Sequence, residues 1–224
     1  MSPVDERSLI ERAQQGELAA FNTLVETHQD LVFSVTLRMV RNRASAEDLT
    51  QETFISAWRA IRSFRGGTPG NQSPRAGTES EDARTTAPAR LANPFRAWLL
   101  RIARNATYDH LRRAGRRVEM SIEDDAVTFA ESLPSAERGP EEWALSGELG
   151  RAISVGLGGL SPDQRMAVVL VDIEGQSYEE AAAAMETNIG TVKSRLNRGR
   201  SKLRDFLRRT PELLPAHLRL EDKE

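Results

Sequence analysis

Cysteine is absent from this 224-residue chain, which excludes disulfides, thiol catalysis and any zinc site built on thiolates. Histidine is scarce: His28, His110 and His217 are scattered, without the spacing that holds a metal. No apolar run approaches the roughly 18 residues that a membrane span requires. The opening Met-Ser-Pro-Val-Asp-Glu-Arg also lacks the apolar centre of a secretory signal. A soluble, cytoplasmic protein without membrane insertion, metal or cofactor is therefore expected. Aromatic residues make up only 5% of the chain, so a core must rest on leucine, isoleucine, valine and alanine. No segment alternates apolar and polar residues as a half-buried strand would. No nucleophile–base–acid set is visible, and the Gly66-Gly67 region lacks the following lysine of a phosphate-cradling loop. An enzyme is not expected.

What remains has helical spacing almost throughout. One helix is expected over 5–15, stopped by Gly16, and a second over 17–28 with Phe21, Leu24 and Val25 inward. A third is expected around Leu31, Val32, Val35, Met39 and Val40, and a fourth starts at Ser45, with Asp48 as its capping acid. From Arg65 to Asn93 glycine, proline, serine and threonine displace the apolar pattern, which predicts a flexible insertion. Asn93 and Pro94 then suit the cap and first position of a helix carrying Phe95, Trp98, Leu99 and Ile102, ended by Gly115. Further on, Ser161-Pro162-Asp163-Gln164 is another cap signal, and Gly175 closes an apolar run over 166–173. The fold class is all-α: two small helical domains joined by a flexible acidic linker, the second a helix-turn-helix domain. The expected boundaries are 1–117, linker 118–139, second domain 140–209 and a mobile tail 210–224.

The formal net charge is −2, an average that hides its distribution. Seven arginines and one acid, Asp109, lie between Arg96 and Arg117, and eight acids lie between Val118 and Glu142. Near the carboxyl end, Ser177 and Glu180 have the spacing of a reciprocal capping box, followed by an alanine run over 181–184. After Glu186-Thr187-Asn188 a second helix opens at Gly190, with Val192, Leu196, Leu203 and Leu207 as a buried stripe. Lys193, Arg195, Arg198, Arg200, Lys202, Arg204, Arg208 and Arg209 cover much of the rest. Two helices of this kind suit a DNA major groove, where cations meet phosphate and polar side chains reach base edges. The competing reading is an ordinary helical hairpin with a solvated basic face.

Three stretches in order carry a family resemblance: Ala13–Phe21; Ala46–Trp58 with Phe95–Arg113; and Leu160–Arg165 with Gly175–Glu180 and Gly190–Leu196. Together they are similar to the extracytoplasmic-function sigma factors, two-domain promoter-recognition subunits of bacterial RNA polymerase. The resemblance implies that Asp48, Leu49, Gln51, Glu52, Phe54 and Trp58 bind the polymerase core, although Phe54 and Trp58 also read as core packing. It implies that Arg101, Arg104, Asn105, Tyr108, Arg112 and Arg113 meet the minus-10 element. Tyr108 either stacks on an unpaired base or is a buried tyrosine with its hydroxyl at the rim. It implies that Thr191, Lys193, Ser194, Arg195, Asn197 and Arg198 serve the minus-35 element. Proximity to the helix start favours base contact for Arg195 and phosphate contact for Arg198, though arginine serves both roles. The implied partners are RNA polymerase core, promoter DNA and an anti-sigma factor. Departures are the long insertion, Asn188 where many members have proline, and alanines in place of the usual isoleucine before the turn. A conventional regulator using only the carboxy-terminal unit is the alternative; the second basic helix and the 48–58 segment argue against it.

Overall fold

Helices account for all regular structure among the described residues, which are 3–66, 91–118, 150 and 152–210 of the computed structural model. They are α1 (Pro3–Gln14), α2 (Leu18–Val40), α3 (Arg43–Ala60) with a 3-10 turn (Ile61–Ser63), α4 (Pro94–Val118) and α5 (152–158). Then come α6 (Pro162–Val168), which widens into a π turn (Val169–Ile173), α7 (Tyr178–Ala184) and α8 (Ile189–Arg209). Residues 67–90 of the expected insertion over 65–93, residues 119–139 of the expected linker over 118–139 and the expected tail beyond 210 lie outside the described residues.

The local chemistry explains most boundaries and corrects several expected ones. The two helices expected over 17–28 and 31–40 are one continuous α2. Gln29 and Asp30, which lie between the two expected segments, are on its exposed face. Helix α3 begins two residues before Ser45: Asn42 is the cap, its side-chain oxygen accepting from the Ser45 N–H at 2.9 Å. An asparagine oxygen in extended backbone satisfies one of the orphan donors of the first turn. Asn93 caps α4 as expected, accepting from the Arg96 N–H at 2.8 Å, but Gly115 does not end the helix, which runs to Val118. At α6 Ser161 is the cap, while Gln164 Oε1 is buried without a partner, so that capping box is half made. The box of Ser177 and Glu180 is complete, with bonds of 3.1 and 3.0 Å.

Helices α1–α4 enclose one apolar cluster, with Phe21, Leu24, Val32, Ala57, Ile61, Phe95 and Leu99 at its centre. Trp58 packs on Phe21 at 5.0 Å between ring centroids, and Phe64 meets Phe95 edge-on at 5.6 Å, a favoured aromatic arrangement. Helices α5–α8 build a second cluster from Leu157, Met166, Leu170, Met185, Val192 and Leu196. This second cluster also takes in Val35 and Met39 from α2 and Leu100 from α4. The two units therefore share an apolar seam.

Arg165 ties that seam together. It is 8% exposed, and burial first, then the like charge of Arg41, push its pKa below the ordinary arginine value. Its guanidinium is nonetheless well satisfied. It donates to Leu157 O at 2.8 Å, Gly158 O at 3.0 Å and Leu160 O at 3.4 Å within its own unit, and to Met39 O at 2.5 Å across the seam. These carbonyls lie at the ends of α5 and α2, where the helix dipole favours a cation.

Within the second unit, α8 crosses α6 at Gly199. A Cβ there would sit 2.8 Å from Val168 Cγ2 and 3.2 Å from Gln164 O, closer than packed atoms tolerate. Gly199→Ala should therefore lower stability by about 1–3 kcal/mol, although alanine is the better helix former. A shift of the urea midpoint measures it; equal or higher stability would mean that α8 moves aside at no cost.

Candidate nucleic-acid interface

The second helix of the helix-turn-helix is α8. Its cap is Asn188, which accepts from the Thr191 N–H at 2.7 Å; asparagine is among the best cap residues, so it replaces the family's frequent proline without loss of a defined start. Val192, Leu196 and Gly199 face inward, while Leu203 and Leu207 are only half-buried, so the expected stripe weakens toward the carboxyl end. Lys193, Ser194, Asn197 and Arg198 are exposed, whereas Thr191 and Arg195 are half-buried on the flank. Arg195 reaches Asp163 Oδ2 at 2.5 Å. Lys193 lies over the Tyr178 ring at 5.4 Å, and Arg198 donates to Ser194 Oγ at 3.3 Å. Among these six, Ser194, Asn197 and Arg198 form the outward row.

Helix α4 carries the other cationic set. Arg101 meets Glu186 Oε1 at 2.7 Å and Arg104 meets Glu186 Oε2 at 3.2 Å. Arg104 also stacks over the Tyr108 ring at 4.7 Å and donates to Asn105 Oδ1 at 3.1 Å. The Tyr108 hydroxyl donates to Asp163 Oδ1 at 2.7 Å. Burial, and then that bond, push the Tyr108 pKa well above its ordinary value. Of the two readings of Tyr108, this arrangement is the partly buried ring with a bonded hydroxyl. Asn105, Arg112 and Arg113 are exposed, with Arg112 paired to Asp109 at 3.3 Å.

On α3, Asp48, Gln51 and Glu52 are exposed on one surface. Leu49 needs correction as a docking residue: it is 4% exposed and faces the core. Three residues beyond the cap-proximal Ala46, it falls on the inward stripe of the helix, which a list drawn from motif position alone does not distinguish. Phe54 and Trp58 are half-buried against the first apolar cluster, so the core-packing reading describes most of their surface.

The sequence reading missed the acids that join the two units. Arg96 Nη2 donates to Glu180 Oε1 at 2.7 Å, and Glu174 accepts from Ser34 Oγ at 2.6 Å and Arg38 Nη1 at 3.1 Å. Asp163 and Glu180 read in sequence only as capping residues, and Glu186 only as part of a break. The one available signal was their negative charge beside an otherwise basic motif.

Residues 24–71 and 86–117 match the Sigma-70 region 2 family, and residues 151–203 match Sigma-70, region 4. The ECF RNA polymerase sigma-E factor of Escherichia coli (strain K12) is 35% identical over 208 residues, covering 90% of this chain and 95% of that protein. The chain belongs to the ECF RNA polymerase sigma factors. The ECF sigma factor SigE of Mycolicibacterium smegmatis is 36% identical over 194 residues, 86% of this chain, and the chain spans 63% of that relative's length. Among solved structures, the sigma factor RpoE in complex with the anti-sigma factor NepR from Bartonella quintana matches with a TM-score of 0.57 and 27% identity, covering 84% of this chain and 96% of that one. CnrH in complex with the cytosolic domain of CnrY matches with a TM-score of 0.56 and 25% identity, covering 91% and 97%. As a sigma factor, this protein directs RNA polymerase core to promoters and aids initiation there; it acts by binding, without a reaction of its own. Among the described residues no helix is long and apolar enough to cross a membrane.

The Arg96–Glu180 pair gives this sigma factor a pH dependence with a definite sign. Burial, the largest influence on Glu180, raises its pKa, but the bond and charge of Arg96 with the backbone bonds of Ser177 and Asn93 outweigh it and hold the carboxyl below its usual value of 4.5. A depressed native pKa stabilises the fold above the unfolded value, and that contribution is lost as pH falls through the native one. As pH falls from about 5 to about 3, through the range below the ordinary carboxylate value, urea midpoints should thus fall less steeply in Glu180→Gln than in the parent, since glutamine keeps the capping box but not the charge. Identical slopes would remove Glu180 from the acid response.

Proposed function

We propose that this sigma factor divides its work among three helical surfaces: α3 holds the polymerase core, α4 engages the melted minus-10 element, and α8 reads minus-35. The observation that carries this is the outward row Ser194, Asn197 and Arg198 on a capped helix with a buried apolar side, the form a helix needs to enter a major groove. On α3 the open carboxylates of Asp48 and Glu52, one turn apart, suit arginines on a partner helix. On α4 Asn105, Arg112 and Arg113 are open to phosphate, while Arg101, Arg104 and Tyr108 extend the same face. Residues 1–117 form the core- and minus-10-binding unit, 118–139 the linker, 140–209 the minus-35 unit and 210–224 the tail. The protein works in the cytoplasm, where the polymerase is. An anti-sigma factor holds it until needed, as the NepR and CnrY complexes of its structural relatives suggest.

Run-off transcription from a genomic library with core polymerase tests the whole reading: defined start sites should depend on this protein, and none would appear if it were a stand-alone regulator. Within that assay, Asp48→Ala combined with Glu52→Ala should weaken core binding by about 1–3 kcal/mol, read by direct titration; unchanged affinity with an intact fold removes the acids from the contact. On α8, the greater exposure of Arg198 and the pairing of Arg195 with Asp163 support the opposite order to the one expected from sequence. Arg198→Ala should cost roughly 1–3 kcal/mol and relax preference at one or two minus-35 positions, whereas Arg195→Ala should lower affinity for all sequences alike. Titrations on cognate and altered minus-35 sites decide between the two arginines.

A further inference from the structure

Helix α1 adds Ala13 to the first apolar cluster, with Leu9 and Ile10 only partly buried. It also carries two polar side chains that reach the start of α4 by separate routes. Glu6, whose side chain is 13% exposed, accepts from Asn93 Nδ2 at 2.8 Å through one oxygen and meets His28 Nε2 of α2 at 2.7 Å through the other. Asn93 is the cap of α4, so the side chain that fixes the first turn through its oxygen is held from behind through its nitrogen. Phe95, two residues on, lays its ring 5.4 Å from the His28 ring. Two turns further along α1, the Gln14 amide donates to Ile61 O at 3.1 Å and Phe64 O at 2.7 Å. Phe64 in turn packs on Phe95 at 5.6 Å and on Trp98 at 5.2 Å.

Apolar packing does not do the same job here. A cavity of about 590 Å³, lined by Ile10, Phe64, Pro94 and Phe95 beside Glu6 and Gln14, opens between α1 and the start of α4. Side-chain bonds at its wall therefore carry the connection. Burial, the largest influence on Glu6, raises its pKa, but the bonds from His28 and Asn93 with the charges of His28 and Arg96 outweigh it and hold the carboxyl below its usual value. An ionised carboxylate bonded through both oxygens fixes the direction of its partners. Leverage magnifies any loss: roughly 24 Å of helix separate the capped Arg96 N–H from Arg112, so a tilt of about 4° moves that side chain by about 2 Å.

We propose that α1 is a positioning element for promoter opening. Glu6 through Asn93, and Gln14 through Phe64, set the direction in which α4 presents Asn105, Arg112 and Arg113 to the unpaired minus-10 strand. The proposal rests on the reading of α4 as the minus-10 helix. Glu6 and Gln14 act through other residues, without contact to DNA.

Asn93→Ser separates the cap from the tie, since serine caps a helix as well as asparagine but is too short to reach Glu6 while doing so. The assay uses holoenzyme on a promoter located by the run-off mapping, with permanganate reactivity of the minus-10 thymines as the measure of opening. Asn93→Ser and Glu6→Ala should each slow opening about tenfold, as the loss of a supporting contact does. Together they should slow it no more than Glu6→Ala alone, because both remove one bond. Glu6→Gln, whose oxygen still accepts from Asn93, should restore most of the rate. Gln14→Met, similar in bulk but without the donors, should slow opening and multiply with Glu6→Ala, as a separate route requires. Core affinity and minus-35 duplex binding of Asn93→Ser should stay at the parent value, which a general loss of structure would not allow. Unchanged opening in Asn93→Ser, a fall in core affinity by the same factor as opening, or multiplying effects of Asn93→Ser and Glu6→Ala would each overturn the proposal. Arg112→Ala with Arg113→Ala tests the underlying reading separately. Opening indifferent to that pair removes α4 from the minus-10 element and leaves α1 nothing to position. A loss there beside normal opening in Asn93→Ser overturns the role of α1 alone.

Discussion

Four alanines in succession, Ala181–Ala184, leave α7 scarcely thicker than its backbone, and the packing of α4 on one side and α8 on the other depends on that thinness. All four are buried. A larger side chain at any of them would push away either the recognition helix or the helix that carries the other cationic face. In a sequence the run reads as weak packing, because alanine offers little apolar area. In the fold it is what allows close approach, and the stability comes from the larger side chains around it: Leu170, Met185, Val192 and Leu196. The complete capping box at Ser177 and Glu180 supports so short a helix by satisfying donors that a seven-residue segment leaves largely unpaired.

Helix α4 has two opposed duties. Phe95, Leu99 and Ala103 pack into the first cluster and Leu100 into the second, while its arginines turn outward onto acids of α7 and the turn after it. Because one helix belongs to both cores, the separation of the units is not a free hinge motion: it exposes Leu100 and breaks the contact of Arg165 with Met39 O. Apolar burial near 25 cal/mol per Å² makes a seam of this kind a real barrier to separating the units.

The legibility of the chain follows the range of the physics involved. Caps at Asn93, Ser161 and Ser177 were readable because an N-cap is settled within four residues. Asn42 and Ser45 are both good caps, and only the backbone decides between them. Helix α2 runs unbroken through Gln29 and Asp30, because two polar residues on the solvent side do not interrupt a helix. Among the site residues, Ser194, Asn197 and Arg198 lie outward as a recognition helix requires. Leu49 and Arg195 do not, because a motif position says which helix a residue is on and not which neighbour covers it.

By itself the sequence determined the helical class, the helix-turn-helix with its cationic second helix, and the family likeness. All of these rest on periodicity, capping and spacing within short windows. The tertiary structure alone decided what Asp163, Glu174, Glu180 and Glu186 do. Their partners lie 32 to 140 positions away in the chain for Arg195 and Ser34 at the extremes. A carboxylate's role there depends on which donor folding brings within hydrogen-bond distance, and no local pattern encodes that.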